Sequence, residues 1–330
     1  MTANNSETAS LKWLFVLVCS VASLCLIRPA SAFDGPLRIK NQFPLFMHID
    51  SPSLESASRA NSLSAALFYS SVFMNKQSLQ WKSQLDMEIA ELNLRYTRQI
   101  DDHFEAGVEV PLLGLTSGFM DPLLNTYHST FGFEDYGRQS RPSDSFLYEV
   151  QRQGKVIIRG KGSGIGLGDI KLSVKKALFE ADPLVSIKAE VELPTGAASK
   201  GYGNGSLDGG FSLLLDKRLG DRIMSYYNLG IIFPGKMKAL EPIGLKTSVY
   251  GGMGFEALIS TEFSLLGQVM AQTSPFPKTG IGSIDRIGVL LALGGRYIKG
   301  KEHYELSFIE DPNTAGAPDI TIHLSYKKKF

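Results

Sequence analysis

Long stretches of the chain alternate apolar and polar residues with a period of two. In the stretch 185–193, the odd-numbered residues are apolar and the even-numbered residues are polar or charged. The same alternation recurs at 104–112, 303–308 and 319–326. Alternate side chains of a β-strand point to opposite faces, so each stretch would present one apolar wall and one charged wall. Helical periodicity of comparable strength appears nowhere beyond residue 32, and the pattern therefore predicts an all-β protein.

Short polar turns alternate along the chain with longer connections, as they do in an antiparallel membrane barrel. Threading strands between them gives twelve strands over 60–330, with both ends on the same side. The predicted strands cover 60–73, 83–98, 103–115, 166–180, 183–195, 208–219, 222–234, 246–259, 262–274, 286–298, 303–310 and 318–330. We predict a transmembrane antiparallel up-and-down β-barrel. A large soluble β-sandwich is the alternative, because its strands would alternate in the same way.

The first 32 residues have the features of a secretory signal peptide. Lys12 precedes an apolar run at 13–27, and Ala30, Ser31 and Ala32 form a small-x-small cleavage pattern. The run is short for a membrane-spanning helix, which needs about 20 apolar residues. We therefore expect cleavage near Ala32 and export to the outer membrane of a Gram-negative bacterium.

Cleavage would leave a mature chain whose composition disfavours several classes of function. Both cysteines, Cys19 and Cys25, lie in the signal, so no disulfide framework or cysteine nucleophile is expected. Removing residues 1–32 lowers the count of Lys and Arg from 34 to 32, and that of Asp and Glu from 33 to 32. A net charge of zero argues against a nucleic-acid partner, which would need a basic surface.

The chain ends on an aromatic residue, Phe330, and Leu324 and Tyr326 precede it on the same face of the last predicted strand. Aromatic rings are favoured at the membrane interface. This ending resembles the C-terminal signature that the outer-membrane barrel-assembly machinery recognises, so these three residues are predicted to form it. Lys328 departs from the signature, which usually has an apolar residue at that position.

Two segments do not read as barrel strands. Residues 33–59 contain three prolines, which cannot sustain a β-ladder, so we expect a periplasmic tail or a segment in the lumen. Residues 116–165 are too long for an ordinary loop and too aromatic for disorder. The apolar runs 146–148 and 156–158 flank Gly154 and predict a hairpin. We expect 116–165 to be a long external loop, folded over or into the mouth of the barrel.

Several short stretches resemble one family, in order, over most of the mature chain. They are 41–45, 117–121, 127–132, 166–169, 193–196 and 317–324. Through them the chain resembles the bacterial domain-of-unknown-function family numbered three-one-eight-seven, a family of exported outer-membrane-type β-barrels. The stretches 166–169 and 193–196 are also similar to outer-membrane transporter barrels linked to the degradation of aromatic compounds. The resemblance implies a location and a fold, and it implies no known activity.

Two stretches suggest specific chemistry, and each has a simpler structural interpretation. Residues 162–168 are rich in glycine but lack the spacing of a nucleotide-binding loop, so a flexible entry to a strand is preferred. His128 and Ser129, with Asp121 and Asp135, could suggest a hydrolase triad. However, no nucleophile elbow is present, and a hydrogen bond from His128 to Asp121 that fixes the loop is preferred.

Metal binding has equally little support from the sequence. A loop calcium site could use Asp121, Glu134 and Asp135, whose carboxylates are suitable ligands. The five histidines are not paired at the spacing of metal ligands. We therefore expect neither a metal site nor a cofactor.

Charged residues on the inward wall carry the functional argument. Charges in a dry core are very costly, so these residues need water or partners. The lumen candidates are Arg95, Glu109, Lys188, Glu190, Glu192, Glu305 and His323. The loop candidates are Asp121, His128, Asp135, Arg138 and Arg141.

A wet, charged lumen favours a passive channel or transporter, because rings of charge set selectivity in pores. We expect its partners to be outer-membrane lipid and an unidentified small solute, with hydrophobic solutes included. The first alternative is a plugged structural or surface-binding barrel, in which the charges pair across the lumen. The second alternative is an outer-membrane hydrolase.

The barrel prediction is tested by fractionation. The folded protein should be recovered with the outer membrane, and its gel mobility should change on boiling in detergent, because closed barrels resist unfolding. Recovery of the protein as a soluble periplasmic species without detergent would contradict a membrane barrel.

Overall fold

The computed structural model describes residues 33–47, 52–132, 137–162 and 164–330, apart from the side chains of 127, 128, 131 and 139. The predicted signal peptide, 1–32, lies outside the described residues. Among the described residues, no helix is long and apolar enough to cross a membrane.

Within the part of the chain that the structure describes, the regular structure consists of seventeen strands, two α-helices and two short 3-10 turns. The strands before the first long connection are β1 (Ser62–Gln77), β2 (Trp81–Gln99) and β3 (Phe104–Thr116). That connection holds α1 (Asp121–Phe131), a 3-10 turn (Arg138–Ser140), β4 (Leu147–Arg152), β5 (Lys155–Arg159) and β6 (Ile165–Leu167). Next come β7 (Ile170–Phe179), β8 (Leu184–Leu193), a 3-10 turn (Ala198–Lys200), β9 (Asp208–Arg218), β10 (Ile223–Phe233), β11 (Met237–Lys238) and β12 (Pro242–Ile243). The chain ends with β13 (Ser248–Leu258), β14 (Phe263–Gln272), α2 (Gly282–Asp285), β15 (Gly288–Lys299), β16 (Glu302–Glu310) and β17 (Ile320–Lys329).

Twelve of the strands close into an antiparallel barrel, which confirms the predicted fold. Their order around the wall is β1, β2, β3, β7, β8, β9, β10, β13, β14, β15, β16 and β17. The first and last strands pair from Ser62 with Lys329 to Ser71 with Ile320, so the barrel has no free edge. Each of the twelve predicted strands overlaps one of these strands.

The two ends of the barrel differ in the length of their connections. We call one end the short-turn end, where 100–103, 180–183, 219–222, 259–262 and 300–301 link the strands. The opposite end, with the longer connections, is the long-loop end. In outer-membrane barrels the short turns face the periplasm.

The barrel wall has the two faces that the alternation predicts. On β8, the side chain of Val191 faces outward and is 40% exposed, whereas that of Glu190 is 5% exposed and faces the interior. The outward face is apolar on most strands, and the inward face carries most of the charges. Such a wall suits lipid outside and water or polar partners inside.

The long connection between β3 and β7 divides into two parts. The hairpin of β4 and β5 extends the sheet from β2 and turns inward, where Tyr148 donates a hydrogen bond to the carbonyl oxygen of Pro44. Residues 117–132 and 137–145 instead pack on the outside of the wall, against the outward side chains of Asp86 and Glu88 on β2. The expectation that the whole loop covers the mouth is therefore wrong for these residues.

Strand length explains this arrangement. β1 and β2 have 16 and 19 residues, whereas the other barrel strands have 9 to 13. The extra length projects beyond the rest of the wall, and its outward face needs a cover. The sequence pattern gave no indication of which side of the wall the loop would cover.

The orientation of the wall is tested by a pair of neighbouring substitutions. Val191→Lys should destabilise the folded barrel by about 2–4 kcal/mol, because a cation would face lipid near mid-membrane. Glu190→Gln should cost less, since Lys188 keeps its second partner, Glu55. Urea unfolding in lipid vesicles measures both, and equal effects would contradict the assignment of the two faces.

Candidate functional site: the plugged lumen

The segment before β1 lies inside the barrel, and we call residues 33–47 and 52–61 the plug. Near its start, Asp34 contacts Lys327 at the short-turn end. The plug then rises to the long-loop end, where Pro44 meets Tyr148. It returns to the short-turn end, where Arg59 contacts Glu180. A bridge between Lys40 and Ser53 joins the rising and returning limbs.

The plug makes hydrogen bonds to strands on all sides of the barrel. On one side its partners include Glu91 of β2 and Ser70 of β1. On the opposite side they include Ser186 of β8 and Asp216 of β9. Gln268 of β14 donates to the carbonyl oxygen of Leu37. Contacts in so many directions place this segment within the lumen.

Asp34 anchors the plug at the short-turn end. Its carboxylate contacts Nδ1 of His303 at 2.6 Å, Nζ of Lys327 at 2.5 Å and the ammonium of Lys329. Burial alone would raise the pKa of Asp34, but Lys327, the hydrogen bond from His303 and nearby cations hold it well below its ordinary value. The carboxylate is therefore a charged anchor rather than a neutral acid.

Glu55 anchors the returning limb in the same way. Its two carboxylate oxygens accept hydrogen bonds from Nη2 of Arg95 at 2.7 Å and Nζ of Lys188 at 2.9 Å, and Lys175 lies 4.0 Å away. Burial opposes ionisation, but these cations hold the pKa of Glu55 well below its ordinary value. Its backbone N–H also donates to Oδ1 of Asn228.

The lowered pKa values determine how the anchors respond to acid. A carboxylate with a lowered pKa in the folded state stabilises that state fully above its ordinary pKa. Its contribution is lost only as the pH falls from that ordinary value towards the lowered one. Asp34 and Glu55 should therefore hold the plug at neutral and mildly acidic pH.

The plug also supplies cations to carboxylates of the wall. Nη2 of Arg38 contacts Glu109 at 2.5 Å and Asn93 at 2.9 Å, and Lys40 pairs with Glu91 at 2.5 Å. A fully buried wall residue, Arg296, donates to the carbonyl oxygen of Gly35 at 2.7 Å and also pairs with two wall carboxylates.

At the long-loop end the lumen changes from charged to apolar. The tip of the rising limb, 43–47, packs into a buried apolar cluster that we call the apolar chamber. Phe43 and Phe46 meet edge to face, with ring centroids 5.2 Å apart. The chamber residues from the wall and loops include Trp81, Leu85, Tyr148, Ile157, Tyr250 and Phe276.

Little space remains between the plug and the wall in the part of the chain that the structure describes. A cavity of about 90 Å³ lies in the charged half, beside the small inward residues Ser62, Ser64 and Ala66 of β1. A second cavity, of about 10 Å³, lies next to Lys40 and Glu91. The first could hold a few water molecules.

The structure places the lumen candidates as follows. Arg95, Glu109, Lys188, Glu190, Glu192, Glu305 and His323 all lie on the inward face of the wall. Arg95, Glu109 and Lys188 bind the plug directly. Glu305 pairs with Arg296, and Glu192 borders the smaller cavity.

His323 has a different environment. It is fully buried, its Nδ1 lies 2.9 Å from Oγ of Ser307, and its ring stacks on that of Phe68. A serine beside a histidine is part of a hydrolytic site, but both side chains are fully buried, so substrate has no access to this pair in the described arrangement. No group of three His, Cys, Asp or Glu among the described residues is arranged to hold a metal ion.

Three of the loop candidates, Asp121, Arg138 and Arg141, do not line the lumen. Arg138 binds Asp121 at 2.5 Å and also pairs with Asp319, and Arg141 binds Asp86, all on the outside of the wall. Asp135 and the side chain of His128 lie outside the described residues. The predicted bond between His128 and Asp121 therefore stays a prediction.

The C-terminal candidates face the membrane side of the wall. Leu324 and Phe330 are exposed, and the Phe330 ring stacks on Tyr96 with centroids 6.1 Å apart. Tyr326 is half-buried and packs against Tyr304. Their role in assembly stays a prediction.

The glycine-containing stretches 166–169 and 193–196 meet at the long-loop end of β7 and β8. The carboxylate of Asp169 accepts hydrogen bonds from the backbone N–H groups of Gly196 at 2.7 Å and Asn204 at 3.1 Å. Oγ1 of Thr195 donates to the carbonyl oxygen of Gly168. These bonds tie the two stretches together at the end of the hairpin, so the stretches have a structural role there.

Sequence reasoning missed the plug residues that bind the wall. Asp34, Arg38, Lys40 and Glu55 were not among the candidates, because the prolines of 33–59 predict irregular backbone and do not indicate which side chains bind the wall. A signal was present: the segment carries charges of both signs, and the inward faces of the strands carry charges that need partners.

Comparisons with known proteins agree with this architecture. The model of a family described as a protein of unknown function (DUF3187) matches residues 15–330, which confirms the resemblance seen in the sequence. A search of curated proteins found no match.

Solved structures of membrane channels are similar to this chain. One described as the COG4313 outer membrane channel from Pseudomonas putida F1 has a TM-score of 0.55 and 12% identity, covering 86% of this chain and 98% of that chain. The NanC porin has a TM-score of 0.47 and 7% identity, covering 82% and 100%. The Pseudomonas putida toluene transporter TodX has a TM-score of 0.40 and 10% identity, covering 91% and 100%. At such identity, the first likeness shows a shared fold.

The anchoring role of Glu55 is tested by comparison with an exposed ion pair. Glu55→Gln should weaken the attachment of the plug by about 3–5 kcal/mol, because it leaves buried Lys188 and Arg95 without a full counter-charge. Glu180→Gln removes a partner of Arg59 that is 54% exposed, and should cost about 1 kcal/mol or less. Limited proteolysis within 33–59 measures plug release, and equal protection in both variants would contradict the anchor.

Proposed function

Because the chain belongs to the DUF3187 family and has the fold of an outer-membrane channel, we propose that it is a channel for small hydrophobic solutes, closed at rest by the plug. The observation that carries this proposal is the division of the lumen. A charged half and an apolar half are both filled by one segment that is not part of the wall. Movement of that segment would open both halves together.

In the charged half of the lumen, water can replace the plug as the partner of the wall charges. Its wall carries Arg95, Lys188, Glu109 and Glu305, which water can solvate when the plug residues leave. An apolar wall could not be rehydrated in this way, because exposing it to water is unfavourable. The ion pairs that hold the plug therefore have a low-cost alternative partner in the open state.

The apolar chamber favours a solute of a particular class. Withdrawal of Phe43, Leu45 and Phe46 would expose apolar surface, at about 25 cal/mol per Å². An apolar solute that entered the chamber would replace these contacts, whereas water or a sugar would not. A ligand shifts an equilibrium only by its difference in affinity for the two states. A hydrophobic solute would therefore favour the open state.

The small volume of the cavities between the plug and the wall supports one alternative, a permanently plugged structural barrel. In that case the plug would be part of the core and would never leave. The hydrolase alternative has less support, since Ser307 and His323 are buried without access. The structural alternative predicts a different outcome in the following experiment.

The channel is tested by conductance in planar bilayers. A variant with 37–57 replaced by a short flexible linker should have a conductance at least about tenfold higher than that of the wild-type protein, because the lumen is emptied. The variant should still fold, because no wall strand is removed. Deletion of 118–143 is a matched control and should leave conductance unchanged, since the described residues of that segment, 118–132 and 137–143, lie outside the wall. A folded plug-deletion variant that conducts no more than the wild type would contradict a channel.

The solute class is tested on the wild-type protein in the same bilayers. Benzene at low concentration should increase the frequency of opening, and sucrose at the same concentration should not. If the plug deletion conducts but benzene has no effect, the channel stands and the assignment of hydrophobic solutes is wrong.

A further inference from the structure

In the external segment made of residues 117–132 and 137–145, some apolar side chains are left uncovered by the rest of the described chain. We call this segment the collar, because it lies against the outside of β1 and β2. Phe119 is 68% exposed and Leu123, on α1, is 58% exposed. Their neighbours Met120 and Leu124 are buried, so the collar has one apolar side packed on the wall and another that is open.

The position of Phe119 is fixed by a buried carboxylate. Oε1 of Glu88, on the outward face of β2, accepts hydrogen bonds from the backbone N–H groups of Phe119 at 3.0 Å and Met120 at 2.5 Å. Oε2 of the same carboxylate accepts a hydrogen bond from the hydroxyl of Tyr69. These bonds hold the start of the collar close to the wall, so the exposure of Phe119 is not that of a loose loop tip.

Ion pairs hold the rest of the collar to the same wall. The Arg138 guanidinium binds Asp121 on α1 and Asp319 next to β17, and it lies 5.3 Å from the ring centroid of Phe73. The Arg141 guanidinium binds Asp86 of β2. The collar is therefore built onto the outer surface of β1 and β2 by its own set of buried polar contacts.

Phe119 is placed at the edge of the lipid-facing surface. Its ring stacks on that of Tyr69, with centroids 5.2 Å apart and an interplanar angle of 27°. Tyr69 faces outward on β1 and pairs in register with Ala90 of β2. One outward position closer to mid-membrane, the paired residues are Leu67 and Leu92, which are both exposed.

We propose that the collar binds outer-leaflet lipid, with Phe119 and Leu123 inserted among the outer ends of the acyl chains. Continuity is the reason for choosing lipid over a protein partner. The open side of the collar joins the apolar band of Leu67, Leu92 and Leu94 through the stacked rings of Tyr69 and Phe119. Aromatic and aliphatic side chains at and just before the start of a short helix are suited to the interface between headgroups and acyl chains.

This contact gives the collar a role distinct from that of the lumen. The segment would set the depth of the barrel in the membrane and shield Asp86 and Glu88, whose charges lie on the outward face, from acyl chains. A carboxylate facing lipid would be costly, and the collar hydrogen bonds remove that cost. The proposal does not depend on whether the barrel conducts.

Tryptophan fluorescence can locate Phe119 relative to the acyl chains. The chain has two tryptophans, Trp13 in the predicted signal peptide and the buried Trp81. In a Trp81→Phe background, a single new tryptophan reports on its own surroundings. Phe119→Trp is the test variant, because it conserves the aromatic stack on Tyr69.

The experiment compares quenching in phosphatidylcholine vesicles with and without bromine on the acyl chains. Leu94→Trp, in the lipid-facing band, is the positive control. Lys155→Trp, at the start of β5 where the side chain is 78% exposed, is the negative control. Phe119→Trp should lose about half of its emission or more in brominated vesicles, as Leu94→Trp should, while Lys155→Trp keeps its emission.

The outcome decides the proposal in either direction. Quenching of Phe119→Trp close to that of Leu94→Trp would support insertion of the collar. If Leu94→Trp is quenched while Phe119→Trp and Leu123→Trp both behave like Lys155→Trp, the collar lies in water and the proposal is wrong. The heat-dependent shift in gel mobility confirms that each variant is folded.

Discussion

Charges that face the inside of a closed barrel must be paired or hydrated, and the rest of this structure depends on that requirement. The wall excludes lipid from the lumen but brings Arg95, Lys188, Glu109 and Glu305 into a confined space. Leaving any of them without a partner would cost several kcal/mol. The plug meets much of the requirement with charges of both signs, since Asp34 and Glu55 pair with wall cations and Arg38 pairs with Glu109. Glu305 is neutralised within the wall itself, by Arg296.

Because the wall charges can be hydrated as well as paired, the plug can leave the lumen without a large electrostatic cost. A buried ion pair adds little stability compared with two well-hydrated charges, whereas apolar contacts in water are lost at a definite cost. The plug uses ion pairs in the half near the short turns and apolar contacts at its tip. Opening would then be limited mainly by the tip, which is the part that a hydrophobic solute can replace.

Much of the wall could be predicted from the sequence, because its signal is local. The alternation at 185–193 depends only on neighbouring residues, and it predicted the strand and, for a membrane barrel, the outward position of Val191. The plug could not be predicted in this way. Asp34 meets Lys327 across 293 positions of sequence, and no periodic pattern marks a contact between an irregular segment and a strand. The collar was misplaced for a related reason, since the excess length of β1 and β2 beyond the wall is a property of the assembled sheet.

A disulfide between the plug and the wall tests most directly whether the plug moves. A Cβ atom built on Gly254 of β13 lies 3.6 Å from Cβ of Pro36, within the usual range for a disulfide, and the predicted mature chain has no other cysteine. In the variant with Pro36→Cys and Gly254→Cys, oxidation should fix the rising limb of the plug to the wall and suppress channel opening in planar bilayers. Reduction should restore the wild-type conductance, and each single-cysteine variant should be insensitive to oxidant. If the disulfide forms quantitatively and the oxidised and reduced proteins open equally often, the plug is not the gate.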